Sequence, residues 1–332
     1  MRKSPVSYFH SSFIRIPIGV AALVLIAGSF AQGALETNRV RVGMPVSSLA
    51  FLPLYAAEAE GLFDAAGLDV TLFTFRGGSD SVRAAVGGQV DIAAGSISEL
   101  LSALTADQPL KMFWGFNQAP IYELWAQPGT PELPETAGLR FAISSFGALS
   151  NQAVDYMVSQ AGISPDSIVL VPSGGPAARL AALQTSQVDV ALLSQPTSLI
   201  AEREGYKLLG VMSDYAPNWQ NQIFYARTDF LESENTITAF LNVVVEAIDL
   251  IESDEEVRTR LTMEYVGFSR EDAELGYASY AGTWPRTGQP AREGIDILAR
   301  FHAESEGLDE PFALSDFMDW RYVKHFGGTV VP

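Results

Sequence analysis

The 332-residue sequence contains no cysteine. Disulfides, thiolate metal sites, iron–sulfur clusters, cysteine nucleophiles and a lipid-attachment cysteine are therefore all excluded. Cations are scarce: 21 Lys and Arg stand against 39 Asp and Glu, for a formal net charge of −18. Such a surface repels phosphate backbones, so no nucleic acid is expected as a partner. Of three histidines, His302 and His325 lie in separate late segments and His10 near the start. No His-x-x-x-His or His-Glu-x-x-His pair exists to hold zinc. The Gly-x-Ser-x-Gly elbow, the Gly-x-x-x-x-Gly-Lys phosphate loop and a strand-borne Gly-x-Gly-x-x-Gly are also missing. Carboxylates are plentiful, yet no spacing singles out a catalytic pair. The chain reads as a non-enzyme without cofactor or metal.

Before the body comes an address. Arg2, Lys3 and Arg15 are basic, the first acid is Glu36, and Val20 to Ala27 reads VAALVLIA. Small residues follow at Ser29, Ala31 and Gly33. This is the pattern of a signal peptide over residues 1–33, cleaved after Ala31 or Gly33. A retained anchor is the alternative, since residues 16–35 carry no charge, but Pro17, Gly19 and Gly28 shorten the apolar part. Loss of the three cations takes the net charge from −18 to −21. No later segment holds eighteen uninterrupted apolar residues, and the exported body is expected in the periplasm.

That body is built twice. Gly87 to Ser96 reads GGQVDIAAGS and Thr185 to Ser194 reads TSQVDVALLS, so Gln89-Val90-Asp91 matches Gln187-Val188-Asp189. Ser96 matches Ser194 and Gly77 matches Gly175 at the same offset, while Val40-Arg41-Val42 is echoed by Leu139-Arg140-Phe141. Short apolar runs at 90–94 and 188–193 suit strands covered on both faces. Alternating with helical periods, they predict two α/β units, each a mostly parallel sheet flanked by helices. The remainder is helical: stretches at 235–252, 255–266, 269–281, 290–305 and 314–326 have Gly267, Gly282 and Gly307 near their ends. This tail is expected to pack on one of the two lobes.

Ligands of open α/β sheets bind beyond the carboxyl ends of strands, where helices begin. The repeat marks those turns: Met44 to Phe51, Arg76 to Asp80, Gly95-Ser96, Asn117-Gln118, Ser144 to Ser150, Ser173 to Gly175, and Ser194 to Pro196. Small residues there let free helix N–H groups approach an anion, and serine hydroxyls add donors. Phe51, Phe146 and Trp219 sit in turn-like sequence and are candidates to line a cleft. Arg76 and Arg179 are able to hold an anion bidentately, with an exposed salt bridge the expected role of Arg179.

The runs VRVGMP, PLYAAEAEGLFDAAGLDV, GGSDSVRAAVGGQVDIAAGS, AGLRFAISSFGALSNQAVDYMVSQAGI and QVDVALLSQP resemble the substrate-binding proteins of sulfonate, nitrate and thiamine-precursor ABC importers. The resemblance spans about residues 38–260. It implies a two-lobed periplasmic-binding-protein fold, with lobe one at 38–124, lobe two at 125–223, and 224–332 returning to lobe one and the C-terminal helices. By position it assigns the ligand to Ser47, Ser48, Phe51, Gly78, Ser79, Ser96, Asn117, Phe146, Gly147, Gln195 and Trp219. The implied partners are a small-molecule ligand, an ABC permease and its ATPase, with the protein a monomer. A sulfonate or similar anion is the first ligand class, and a neutral pyrimidine-like heterocycle the second. Taurine-type members tend to place a carboxylate where this chain has Gln195, which argues against taurine. The similar pyrimidine-synthesising enzymes need cysteines that are lacking here. A sensor module or an enzyme on the same scaffold are the other functional classes.

Overall fold

A computed structural model describes residues 33–331; the expected signal peptide lies outside the described residues but for Gly33. No described helix is long and apolar enough to cross a membrane. In the first lobe, strands β1 (Arg39–Met44), β2 (Asp69–Thr74), β3 (Ile92–Gly95) and β4 (Leu110–Asn117) alternate with helices α1 (Leu52–Ala59), α2 (Leu62–Ala65), α3 (Gly78–Val86) and α4 (Ile97–Thr105). The second lobe repeats the scheme. Strands β5 (Glu123–Ala126), β6 (Arg140–Ile143), β7 (Val169–Pro172), β8 (Val190–Leu193) and β9 (Lys207–Val211) carry helices α5 (Leu149–Gln160), α6 (Pro176–Gln184), α7 (Thr197–Arg203) and α8 (Met212–Tyr215). Strand β10 (Gln222–Arg227) then returns to the first sheet.

The two sheets have the same plan. The orders are β2-β1-β3-β10-β4 and β7-β6-β8-β5-β9. In each, four strands run in one direction and the fourth in line, β10 or β5, runs antiparallel between its neighbours. Both sheets are thus mixed, and the antiparallel strand of each is the first one laid down after the chain changes lobes. Strands β3 and β8 are buried along their whole length, as expected where helices cover both faces. Side chains of β6 and β8 alternate between two cores: Phe141, Ile143, Val190 and Leu192 join the main one, while Ala142, Ala191 and Leu193 join a smaller one with Leu180 and Leu183. That is the period of two of a strand.

One charged clamp recurs at the same place in both units. Arg41 donates from Nε (3.0 Å) and Nη2 (2.7 Å) to the Asp91 carboxylate, and its backbone N–H adds a third bond at 2.9 Å. Arg140 treats Asp189 alike, at 3.0, 2.8 and 2.9 Å. The Asp of each Gln-Val-Asp motif therefore ties the entry of β3 or β8 to β1 or β6. The sequence repeat is a repeated ion pair as well as a repeated strand.

The C-terminal helices are α9 (Glu234–Ser253), α10 (Glu255–Leu261), α11 (Arg270–Tyr277), α12 (Arg292–Glu306), α13 (Leu314–Phe317) and α14 (Arg321–His325). Three differences from expectation have local causes. Helix α10 widens into a π turn at Thr262–Val266 before Gly267, at φ +85°, stops it. The stretch 314–326 is broken because Met318 bridges Met112 and the Asp319 N–H bonds the Met112 carbonyl at 2.7 Å, capping the edge of β4. The tail also touches both lobes instead of one. Helix α12 packs on α4, and its Phe301 ring meets Tyr156 of α5; α11 packs on α7, where Asp272 pairs with Arg203.

Hydrogen bonds to charged groups contribute about 1.5–3 kcal/mol when buried, and partial exposure reduces this. Asp91 is 11% exposed and Asp189 27%. Both Asp91→Ala and Asp189→Ala are expected to lower stability in urea by about 1–2 kcal/mol, the former by more. Equal or reversed losses would show that the clamps are not the source.

Candidate functional site

The loops at the carboxyl ends of the strands of both lobes face one another across a cleft of about 670 Å³. Lobe one contributes Val46 to Leu49 after β1 and Phe75, Arg76 and Ser79 after β2; lobe two contributes Ser144, Ser145, Ser173 to Ala178, and Gln195-Pro196. The lobes touch at its edge. Ser79 Oγ donates to the Phe146 carbonyl at 2.5 Å, and Ser98 Oγ donates to Gln152 Oε1 at 2.6 Å. A Cβ at Gly77 would sit 2.5 Å from Ser145 Oγ, so a glycine is required for this approach.

Four of the anticipated contacts line the cleft: Ser47, Ser48, Ser79 and Gln195. Three have hydroxyls already engaged. Ser47 Oγ donates to the Tyr265 carbonyl at 2.7 Å, Ser48 Oγ caps Ala50 at 3.3 Å, and Ser79 bridges the lobes. Gln195 differs, because its Oε1 is buried without a partner.

The remaining seven do not line this cleft. Phe51 and Trp219 are fully buried, the first stacked on Phe116 and the second against Tyr156. Asn117 is buried and bonded to Thr283 and Asn221. Ser96 is the N-cap of α4 in a capping box with Glu99, a local role that its position after a strand does not distinguish from ligand binding. Gly78 packs against the Glu99 carboxylate, where any Cβ would collide. Phe146 is exposed at the rim, and beside it Gly147 has φ +74° with open space where a side chain would go.

The charge chemistry lies deeper. Arg179 of α6 is not in an exposed salt bridge: it is 2% exposed, and its Nε and Nη1 have no hydrogen-bond partner. No carboxylate of the described residues is within ion-pair reach of it. Burial lowers its pKa, opposed by the Tyr122 and Tyr280 hydroxyls nearby. The reason it sits inside is the helix PAARLAALQ, whose apolar face holds Leu180, Ala182 and Leu183 in the small core and carries the arginine inward with it. Around it, the Gln222 Oε1 and Tyr280 hydroxyl are also buried and unpartnered. Glu99 is 3% exposed, and burial pushes its carboxyl up to about 7, with Ser96 and Tyr225 bonds acting the other way. The sequence did carry a signal against the expected salt bridge, since Arg179 is the lone cation of an apolar helix. Tyr122, Gln222 and Tyr280 left no such signal, since their convergence is made by distant segments.

The NMT1/THI5-like family model matches residues 48–256. No curated protein is similar enough in sequence to match this chain. Among solved structures, the alkanesulfonate-binding protein SsuA from Xanthomonas axonopodis pv. citri, bound to MOPS, is 15% identical with a TM-score of 0.74, covering 86% of this chain and 100% of that one. The ligand binding component of an ABC-type import system from Staphylococcus aureus, with zinc bound, is 16% identical with a TM-score of 0.72, covering 88% and 100%. The periplasmic nitrate-binding protein NrtA from Synechocystis PCC 6803 is 15% identical with a TM-score of 0.63, covering 74% and 71%. At such identities the likeness is one of fold, and that fold is the two-lobed one of periplasmic binding proteins. The described residues contain no group of His, Asp or Glu arranged to hold a metal.

A carboxyl whose folded pKa is raised supports the fold fully below its unfolded pKa, about 4.5, and loses that support as pH rises through about 7. Gln mimics the protonated form. Glu99→Gln is therefore expected to raise the ligand-free Tm at pH 8 and to change it little at pH 4.5. Thermal melts across that range check this, and a parallel shift at all pH values would contradict it.

Proposed function

The chain belongs to the NMT1/THI5-like family, and we propose that it is the periplasmic solute-binding component of an ABC importer. On this reading it closes two lobes on a small organic anion, a sulfonate or similar acid, and presents it to a membrane permease. One observation carries the ligand class: the Arg179 guanidinium, buried between the lobes with two nitrogens that have no partner among the described residues. An ionised group held out of water without a partner costs several kcal/mol. A bound anion removes that cost and forms charge-assisted hydrogen bonds.

The same term explains closure. Without ligand, closing buries an uncompensated cation; with an anion present, closing buries a pair. The anion thus binds the closed state better than the open one, which is what drives a population shift. The first turns of α3 and α6, at Ser79 and at Pro176 to Ala178, line the main cleft beside the arginine's void and add about 0.3–1 kcal/mol each toward a negative group. Against the neutral heterocycle stands the placement of Phe51 and Trp219 inside the cores, which leaves Phe75 and Phe268 as the aromatic lining. Permease and ATPase genes beside this one, with the ligand released unchanged, would favour transport; a neighbouring kinase gene would favour sensing, and turnover of the bound compound catalysis.

Thermal shift with sulfonates, carboxylates, nitrate and pyrimidines tests the ligand class. At 100 times its Kd a ligand stabilises by about 2.7 kcal/mol. The expected hits are anions, and Arg179→Gln is expected to weaken them about 100-fold or more, from the 3–5 kcal/mol lost when one partner of a buried pair is removed. A pyrimidine hit insensitive to Arg179→Gln would reverse the assignment. In the ligand-free protein, Arg179→Met is expected to favour closure, read as a smaller radius of gyration by small-angle scattering. An unchanged radius would separate the guanidinium from the closing equilibrium.

A further inference from the structure

Resting on the anion-site reading above, we infer that the ligand is bipolar, with an acidic group for Arg179 and a cationic nitrogen for Glu99. A small void of about 30 Å³ lies between the lobes, next to the main cleft. Glu99, Tyr122 and Gln222 line it from the side of lobe one and the crossing segment, and Ser144, Ser150 and Arg179 line it from lobe two. Val46 and Ser144 border both spaces, so the void adjoins the cleft. Its volume is that of about one water molecule.

Two groups of opposite charge, each at least nine-tenths buried, thus border one void from opposite lobes without forming an ion pair. Glu99 Oε2 accepts from the Ser96 N–H at 3.0 Å and the Tyr225 hydroxyl at 3.4 Å. Oε1 takes no hydrogen bond among the described residues, and it lies against Gly78, which has no side chain to cover it. The groups facing this carboxyl are Ser96 on its own helix, Gly78 and Ser81 from α3, Tyr225 from β10, Tyr122 from the crossing and Arg179 from α6. None of the cations among the described residues is paired with it.

A ligand with only an acidic group satisfies Arg179 and brings a second negative charge toward Glu99, which must then stay protonated. A ligand that also carries an ammonium or similar nitrogen satisfies both side chains and draws Glu99 into its ionised form. Closure then joins one charged group from each lobe through the ligand. The neutral amide of Gln195 does not count against an ammonium once Glu99 serves it from the opposite lobe.

Calorimetric titration with matched pairs decides the matter: 2-aminoethanesulfonate against ethanesulfonate, and 4-aminobutyrate against butyrate, at pH 7.5. The amino member is expected to bind at least tenfold tighter to the unaltered protein, and the gap is expected to close in Glu99→Gln. Gln still completes the capping box, so this variant keeps its fold, and an unchanged circular dichroism spectrum with a melting temperature at pH 7.5 no lower than that of the unaltered protein verifies that. Proton release on binding, read from titrations in buffers of different ionisation enthalpy, is expected with the amino compounds and lost in Glu99→Gln. Des-amino compounds binding as tightly or tighter, or a gap that survives Glu99→Gln, overturns the bipolar ligand. If Arg179→Gln weakens both members of a pair while Glu99→Gln leaves the gap intact, the anion site stands and only this inference falls. If no compound binds at millimolar concentration, both fall.

Discussion

An arginine side chain taken out of water has to find a negative charge, and Arg179 has none within the described protein. The architecture around it follows from that deficit. It sits on a helix whose apolar face is needed for the small core of lobe two, so it is carried inward by packing. The hydroxyls of Tyr122 and Tyr280 and the amides of Gln195 and Gln222 approach the same region without satisfying it. Such an arrangement is stable only if the cost is removed by something that binds, or if the lobes part and water returns.

The scaffold supplies the imbalance through symmetry. Two sheets of identical order each end their parallel strands at one edge, and those edges face each other. Each sheet receives its antiparallel strand just after the chain has crossed, and the crossings contribute Tyr122 and Gln222 to the small void beside the cleft. The clamps Arg41–Asp91 and Arg140–Asp189 hold the first and third strands of each sheet in register, which fixes where the loops that follow them emerge. The C-terminal helices add contacts to both lobes, through Arg203–Asp272 and through Tyr156 on Phe301. The tail therefore touches both lobes rather than being an appendage of one.

Much of this was legible in the chain. The Gln-Val-Asp repeat, the Ala-Gly turns and the doubled glycines identified two α/β units and located the strand ends, because they are local features with a local cause. The serines after those strands were harder to read. Ser47, Ser48 and Ser96 have the composition of a ligand loop, yet their hydroxyls hold the Tyr265 carbonyl, Ala50 and the α4 capping box. The hydrogen bonding of a helix start and of an anion site use the same residue types, so sequence does not separate them. Phe51 and Trp219 read as cleft aromatics from their turn-like surroundings, but large rings go where the most surface is covered, and here that is the core.

What the sequence determined by itself was the duplicated α/β plan and the positions of the strand ends, since periodicity and turn chemistry act over a few residues. Charge placement was decided by the tertiary structure. Glu99 and Arg179 are eighty positions apart and look like a helix cap and a surface cation. Only when α4 of one lobe and α6 of the other are brought to the same void do they become two buried, unpaired groups of opposite sign. Burial depends on which segments meet, and that is a property of the whole fold.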